Sequence, residues 1–342
     1  MRLLPTVAQE EIVGTVRMFL SKEMPLTRLR EFDDGRNPLG DHFWKQCAEQ
    51  GWFGLGLPEE TGGVGGSVVE EVLLFREIGR AVTPGPFLPT VLGARVATHA
   101  AAAELAAEIL SGDAVVALGE LRDPDASVGE TVSGRLDLFY GDAAQYVLVL
   151  DEATAALVRR ADLPAGEHVS CIDSTIAFER LEARGVPTVA VVETGVDALR
   201  ARGTLLSAAL LAGIAEAARD RTSDYANVRM QFGRPIGVNQ AVKHECADMA
   251  VRADAATYQT FFAAVVHHAG REDLEFHVSA AKIVAAESAI KNAESAVQLH
   301  GAMGFTFEHF AHRYVSRARV YERLFDSSTQ LLDRLIRLPA PR

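Results

Sequence analysis

Two passages in the last third of the chain, Arg229-Met-Gln-Phe-Gly-Arg-Pro-Ile-Gly237 and Gln298-Leu-His-Gly-Ala-Met-Gly-Phe305, decide how the whole is read. Each joins a long apolar-periodic run to a glycine-rich turn, and Asp326 follows further on. In the first, the spacing predicts a helix from about Leu205 into Phe232, stopped by Gly233 and kept from continuing by Pro235. Arg229 then stands near an exposed helix end. A planar guanidinium fork there suits a phosphate or pyrophosphate better than an ammonium would. The position suits a solvated arginine that complements the helix dipole equally well. In the second passage, a helix from about Phe276 to His300 ends in Gly-Ala-Met-Gly. Glycines there either let a ligand or another chain approach the backbone or simply make a tight turn.

Together the passages resemble the acyl-CoA dehydrogenase family, flavoenzymes that desaturate acyl-CoA thioesters. The family pattern Arg-x-x-Phe-Gly-x-Pro-Ile followed by Gln is similar to Arg229, Phe232, Gly233, Pro235, Ile236 and Gln240. Its Gln-x-x-Gly-Gly-x-Gly-[Phe/Tyr] is similar to Gln298, Gly301, Ala302, Gly304 and Phe305, with Ala302 where a glycine is usual. Near the amino end, Gly51-Trp-Phe-Gly-Leu-Gly-Leu-Pro-Glu-Glu-Thr-Gly-Gly-Val-Gly-Gly66 resembles the Gly-x-x-Gly…Pro-Glu-x-x-Gly-Gly signature. The three matches span nearly the whole chain.

Composition agrees with a large folded protein. A chain of 342 residues, 48% hydrophobic and 23% charged, can bury a sizeable core and is neither disordered nor a membrane class. No apolar run suggests a bilayer span, and the amino end does not read as a signal peptide, so the expectation is a cytoplasmic protein. A formal net charge of −12 disfavours nucleic acid as a partner. Arg313, Arg317, Arg319 and Arg323 form one basic cluster, local positive charge of the kind a polyanionic CoA ester needs, although the spacing fits a solvated helix face or a subunit contact better. Cys47, Cys171 and Cys246 read as free thiols, and the ten histidines make no metal motif.

Along the chain, helical periodicity covers Glu10 to Lys22, Leu39 to Gln50 and Ser67 to Ala81, with Pro38 ahead of the second run. The Pro58 to Gly66 loop reads as a ligand mouth or as an ordinary connection. Pro84, Pro86 and Pro89 are expected to end the third helix, before an alanine-rich helix that starts at Val91. Short strands are expected at Ala114–Leu118, Thr131–Val132, Tyr146–Leu150, Ala155–Val158, His168–Ile172 and Thr188–Val192. Four long helices follow from Leu205, the first rich in small residues that suit close packing. The fold class is therefore mainly α with a central β-domain. Residues 1–111 form a helical domain, 112–195 a small β-barrel-like domain and 196–342 a four-helix bundle, as in the family.

Desaturation of a thioester removes an α-proton and a β-hydride; flavin takes the hydride, and the protein supplies a base and hydrogen bonds to the thioester oxygen. In the family the base is a glutamate nine residues after an arginine. Nine residues after Arg317 stands Asp326, one methylene short, which withdraws the oxygen by on the order of 1.5 Å. Asp326 reads equally as the N-cap of a helix from Ser327. The alternative base position, near the start of the helix that leads to Arg229, holds Gly203 and Thr204, neither of which can act. The family's Thr-Glu-Pro-Gly-x-Gly-Ser-Asp flavin loop is reduced to Gly119-Glu-Leu-Arg-Asp-Pro-Asp-Ala126, and its Trp-Ile-Thr-Asn-like strand to Leu138-Phe-Tyr-Gly141.

The resemblance implies FAD as cofactor, bound by Arg229, Phe232, Gln298, Gly301 and Gln330, with the first two motifs acting on the adenine-diphosphate end of a neighbouring subunit's flavin. It implies an acyl-CoA substrate, an electron-transferring flavoprotein as acceptor, and either a homologous partner subunit or self-association as a tetramer. What the chain would give in trans is kept, and what it would use in cis is weakened. That pattern resembles the smaller chain of heteromeric acyl-CoA dehydrogenases from bacterial sterol and related degradation. A self-sufficient homo-oligomer with Asp326 as base, and a family-fold scaffold without flavin, are the alternatives.

Overall fold

Small residues at helix contacts and alternating residues along strands build the two halves of this architecture. The computed structural model describes residues 3–32 and 40–341; Pro38 and the expected helix start at Leu39 lie outside them. The chain divides into two compact units, one of Met1–Leu26, Val72–Thr83 and Thr204–Arg342, the other of Thr27–Glu71 and Pro84–Gly203.

The second unit contains α2 (Gly40–Glu49), α4 (Phe87–His99) and α5 (Ala103–Leu110), along with the start of α3 (Val68–Arg80). The prolines do not all stand before α4: Pro86 is its N-cap and Pro89 lies in its first turn, where a missing N–H removes no helical bond. Trp44 packs its ring 4.6 Å from Phe53 and 5.0 Å from Phe87.

Nine strands are described in the whole chain, and seven of them, β1 (Val116–Leu121), β2 (Ser127–Val128), β3 (Thr131–Phe139), β4 (Tyr146–Leu150), β5 (Thr154–Arg159), β6 (Glu167–His168) and β7 (Phe178–Glu193), form one sheet. Their order is β2-β3-β1-β4-β5-β7-β6, and a further β3–β7 pairing closes the middle strands into a ring. Leu136, Leu138, Val147, Val149, Val158, Leu181 and Val186 fill its interior. The sequence hides most of β7, of which only Thr188–Val192 was expected. Glu179, Arg180, Glu182 and Arg184 mask a strict in-and-out alternation that sends Leu181 and Ala183 to the core. Of the expected strand His168–Ile172 only His168 lies in a strand, paired in β6 beside Glu167.

The first unit gathers α1 (Val7–Glu23), the end of α3, α6 (Leu199–Val228) from Thr204 on, α7 (Gln240–His268), α8 (Leu274–His300), α9 (Ala311–Arg323) and α10 (Ser328–Leu335). Helix α1 starts on a Thr6/Gln9 capping box. Buried Ala208, Ala209, Ala212 and Ala215 let α6 pack at backbone range. A Cβ on Gly213 would come within 2.0 Å of the Arg76 carbonyl oxygen, and one on Gly79 within 2.1 Å of that of Leu210. Buried Asn292 donates to the carbonyls of Ala215 and Met249 at 3.0 and 2.9 Å, so α8 registers both α6 and α7. Glu216, also buried, accepts from Arg76, Arg80 and Thr257, which satisfies a carboxylate that would otherwise be costly to bury. Val196–Val228 is long and apolar enough to cross a bilayer, but 83% of its most apolar window is buried in the fold, as in a core helix.

Candidate functional site

The first motif is a hairpin, not the end of a helix. Helix α6 stops at Val228, and β8 (Met230–Gln231) pairs with β9 (Arg234–Pro235). Phe232 and Gly233 both have positive φ, 52° and 77°, as a two-residue type I′ turn requires. Glycine is at ease there and phenylalanine is not. Phe232 is nonetheless 97% exposed, so neither local preference nor burial explains the ring. Arg229 is fixed through its backbone: its N–H donates to Tyr225 O and its carbonyl accepts from Ile236 N, both at 2.9 Å. Its side chain is exposed, and among the described residues no ion pair or hydrogen bond holds the guanidinium.

The second motif lies where α8 ends. Gln298 is exposed, with no partner for its side-chain amide among the described residues, while its carbonyl accepts the Gly301 N–H. Gly301 has φ 63° and ψ −141°, a conformation other residues avoid, with open space where a Cβ would be. Gly304 is required by space instead, since a Cβ there would lie 2.4 Å from the Val297 carbonyl oxygen. Met303, Phe305 and Phe307 around this turn are exposed.

One aromatic stack brings the two motifs to the same end of the bundle. Tyr225, in the last turn of α6, lies 4.1 Å from the ring of His300, the last residue of α8, at 26°. His300 contacts Ala296 O through Nδ1 at 2.6 Å, and a carbonyl only accepts, so Nδ1 carries the proton. His309 and Phe310 pack on His300 at 4.5 and 5.7 Å. Burial lowers the pKa of His300, and burial together with the charges of His300 and His312 pushes His309 down to about 4. Both rings are neutral near pH 7. Sequence reasoning missed this stack, since a tyrosine and a histidine 75 positions apart carry no local signal.

Asp326 is not the helix cap. Ser327 caps α10, forming a capping box with Gln330, whose Oε1 accepts from Ser327 N at 2.9 Å and Ser327 Oγ at 2.7 Å. Asp326 stands one residue earlier, its side chain 11% exposed and its Oδ2 3.0 Å from Arg334. Phe325 and Asp326 both have positive φ, 55° and 75°. Fully buried Lys282 donates to Leu324 O at 2.5 Å, and Thr204 donates to Phe325 O at 3.5 Å. Thr204, at the family's alternative base position, thus touches the loop of Asp326.

The basic cluster is not one solvated face. Arg317, 2% exposed, donates to Thr83 O at 3.0 Å, and Arg313 is buried too. Arg319 pairs with Glu294 at 2.7 Å, while Arg323 is largely exposed.

In the second unit, three charged residues of the stretch that replaces the family's flavin loop are paired within the unit. Arg122 joins Glu120 at 3.3 Å and Asp137 at 2.5 Å, Asp123 pairs with Arg135, and Asp137 also pairs with Arg180. Leu138 faces the barrel core. The Gly51–Gly66 passage packs on a ring of ion pairs, Glu71 and Asp197 bridged by Arg95 and Arg202. A Cβ on Gly56 would lie 2.5 Å from Arg95 Nη2, and one on Gly63 2.2 Å from Leu57 O, so both glycines are required by packing. Among the described residues no group of three or more His, Cys, Asp or Glu is set to hold a metal ion.

Helical segments stand before and after a closed barrel in the chain, and exposed Arg229, Gln298 and Gly301 lie where two bundle helices stop. Residues 6–114 match the model of the acyl-CoA dehydrogenase N-terminal domain, and residues 200–326 that of the C-terminal domain. The chain is 31% identical to acyl-CoA dehydrogenase IpdE2 of Mycobacterium tuberculosis, over 97% of each. It superposes with a TM-score of 0.87 on a chain of the ChsE4-ChsE5 complex from Mycobacterium tuberculosis, at 26% identity over 99% of this chain and 100% of that one. A glutaryl-coenzyme A dehydrogenase, at 22% identity and TM-score 0.85, shares the fold across 98% of this chain and 96% of that one. The chain belongs to the acyl-CoA dehydrogenase family.

Proposed function

We propose that this chain takes part in FAD-dependent α,β-desaturation of an acyl-CoA thioester, as the less catalytic subunit of a heterotetramer that shares FAD at the interface. One contrast carries the reading. Arg229, Phe232 and Gln298 are exposed, with no partner holding the Arg229 and Gln298 side chains among the described residues, while Glu120, Arg122 and Asp123 of the Gly119–Ala126 loop are paired off. The first set is what the family applies to a neighbour's flavin; the second replaces what it applies to its own.

Arg229 would clamp the diphosphate through its fork, and Gln298 with the backbone at Gly301 would hydrogen-bond the same end. Phe232, Met303 and Phe305 would meet the partner as apolar contacts in the core of the interface. When bound, FAD supplies the hydride acceptor. The homologous partner would supply the base, since Asp326 is engaged with Arg334. An electron-transferring flavoprotein would take the electrons. Likeness to a chain of a two-component complex supports the heteromer, and three free cysteines fit the cytoplasm.

One observation favours a second reading, a self-sufficient homo-oligomer with Asp326 as base: consecutive left-handed residues at Phe325 and Asp326 are a form of strain that clusters at functional sites. Asp326→Asn in the purified complex separates the two. Unchanged turnover supports the first, and a fall of about a hundredfold or more assigns the base to this chain. Flavin content that survives alanine at Arg229, Phe232 and Gln298 together would leave only a scaffold role.

A further inference from the structure

We infer that His300 is the positioning residue that sets Arg229 and Gln298 on one edge for the cofactor, through its stack on Tyr225. The inference rests on the proposed role of that edge in binding FAD.

Among the described residues neither Arg229 nor Gln298 is steered by a side-chain partner, so both are placed by the helix ends that carry them. Arg229 donates its N–H to Tyr225 O, so the two share a helical turn. Gln298 precedes His300 by two residues, and Gly301 follows it directly. The Tyr225 and His300 rings, 4.1 Å apart, therefore join the turn that carries one ligand-facing side chain to the turn that carries the other.

The imidazole is held from three directions. Its Nδ1–H is bound to Ala296 O on its own helix, Tyr225 covers one side, and His309 and Phe310 pack from the segment that leads into α9. Arg221, in α6, lies over Phe310 at 5.1 Å and donates to Tyr314 in α9 at 3.0 Å, which closes the link back to α6. At 4% exposure His300 cannot itself reach a ligand in solvent, so it acts through the groups it holds. Its ring is neutral at pH 7, which suits a stack between apolar faces.

The test measures FAD affinity and thermal stability in parallel on the complex of this chain with its homologous partner. The variants are His300→Ala, Tyr225→Ala and the two together. Stacked aromatic pairs contribute enough for His300→Ala to weaken FAD binding by up to about tenfold. Tyr225→Ala should act similarly, and the double variant little further, because both remove one interaction. Leu206→Ala, at a fully buried site near the other end of α6, provides a control that is destabilised as much yet keeps FAD affinity within about twofold. Should His300→Ala fail to fold, His300→Phe against His300→Leu decides: the planar ring restores affinity and leucine does not. FAD binding by His300→Ala within twofold of wild type, or equal behaviour of the phenylalanine and leucine variants, overturns the inference alone. A wild-type complex that binds no FAD removes the functional reading and the inference with it.

Discussion

The Gly119–Ala126 loop and the edge at the ends of α6 and α8 use charge in opposite ways. In the loop, Glu120, Arg122 and Asp123 close on one another and on Asp137 and Arg135. At the edge, Arg229 is exposed and has no side-chain partner among the described residues, and Phe232 occupies a turn position that disfavours it. Strained residues of this kind cluster at functional sites. That contrast is the ground for the proposal that the chain contributes to another subunit's site more than it maintains its own.

The largest expected break in that contrast comes from Arg229→Ala. Loss of a charge-assisted hydrogen bond worth about 1.5–3 kcal/mol should weaken FAD binding by the complex on the order of tenfold to a hundredfold. Arg229→Lys should recover only part, for want of the bidentate fork. Arg122→Ala in the loop should leave FAD affinity unchanged while lowering the melting temperature, because Asp137 would keep only Arg180. An equal loss of flavin in both would erase the distinction between the regions.

Phe232→Asn sharpens it with a smaller effect of opposite sign in two assays. Asparagine tolerates the left-handed turn, so the variant should be more stable by up to about 1 kcal/mol in denaturant melts. Association with the partner should weaken at the same time. A variant weaker in both respects would mean that the ring is packed for folding.

The smallest effect concerns protons. His309 has a folded pKa of about 4 against an ordinary value of 6.5. The unfolded chain therefore binds more protons between those values, and this contribution is complete above pH 6.5 and is lost as pH falls toward 4. His309→Gln should lose less melting temperature than wild type across that window. Parallel curves would remove His309 as a contributor.

The features that glycine and proline punctuate were legible in the sequence: the stop of α8 at Gly301, the close packing of α6, and the family motifs themselves. Where one signal serves two structures, reading failed. Gly233 and Pro235 end a helix or turn a hairpin with equal economy, and the hairpin was taken for a helix end. Asp326, Ser327 and Ser328 are all cap formers, and only the Gln330 side chain selects Ser327. Arg317 looked like a surface residue because its main partner, the Thr83 carbonyl, lies in a distant part of the chain. Long-range partners of this kind, and the ring of His300 among them, have no local pattern to betray them.

The most direct test is flavin per chain, by absorbance, on the protein purified alone and again after co-expression with a full-length homologue from a neighbouring gene. The account predicts flavin only with the partner. Near-stoichiometric flavin on the chain alone would contradict it and return the base to Asp326.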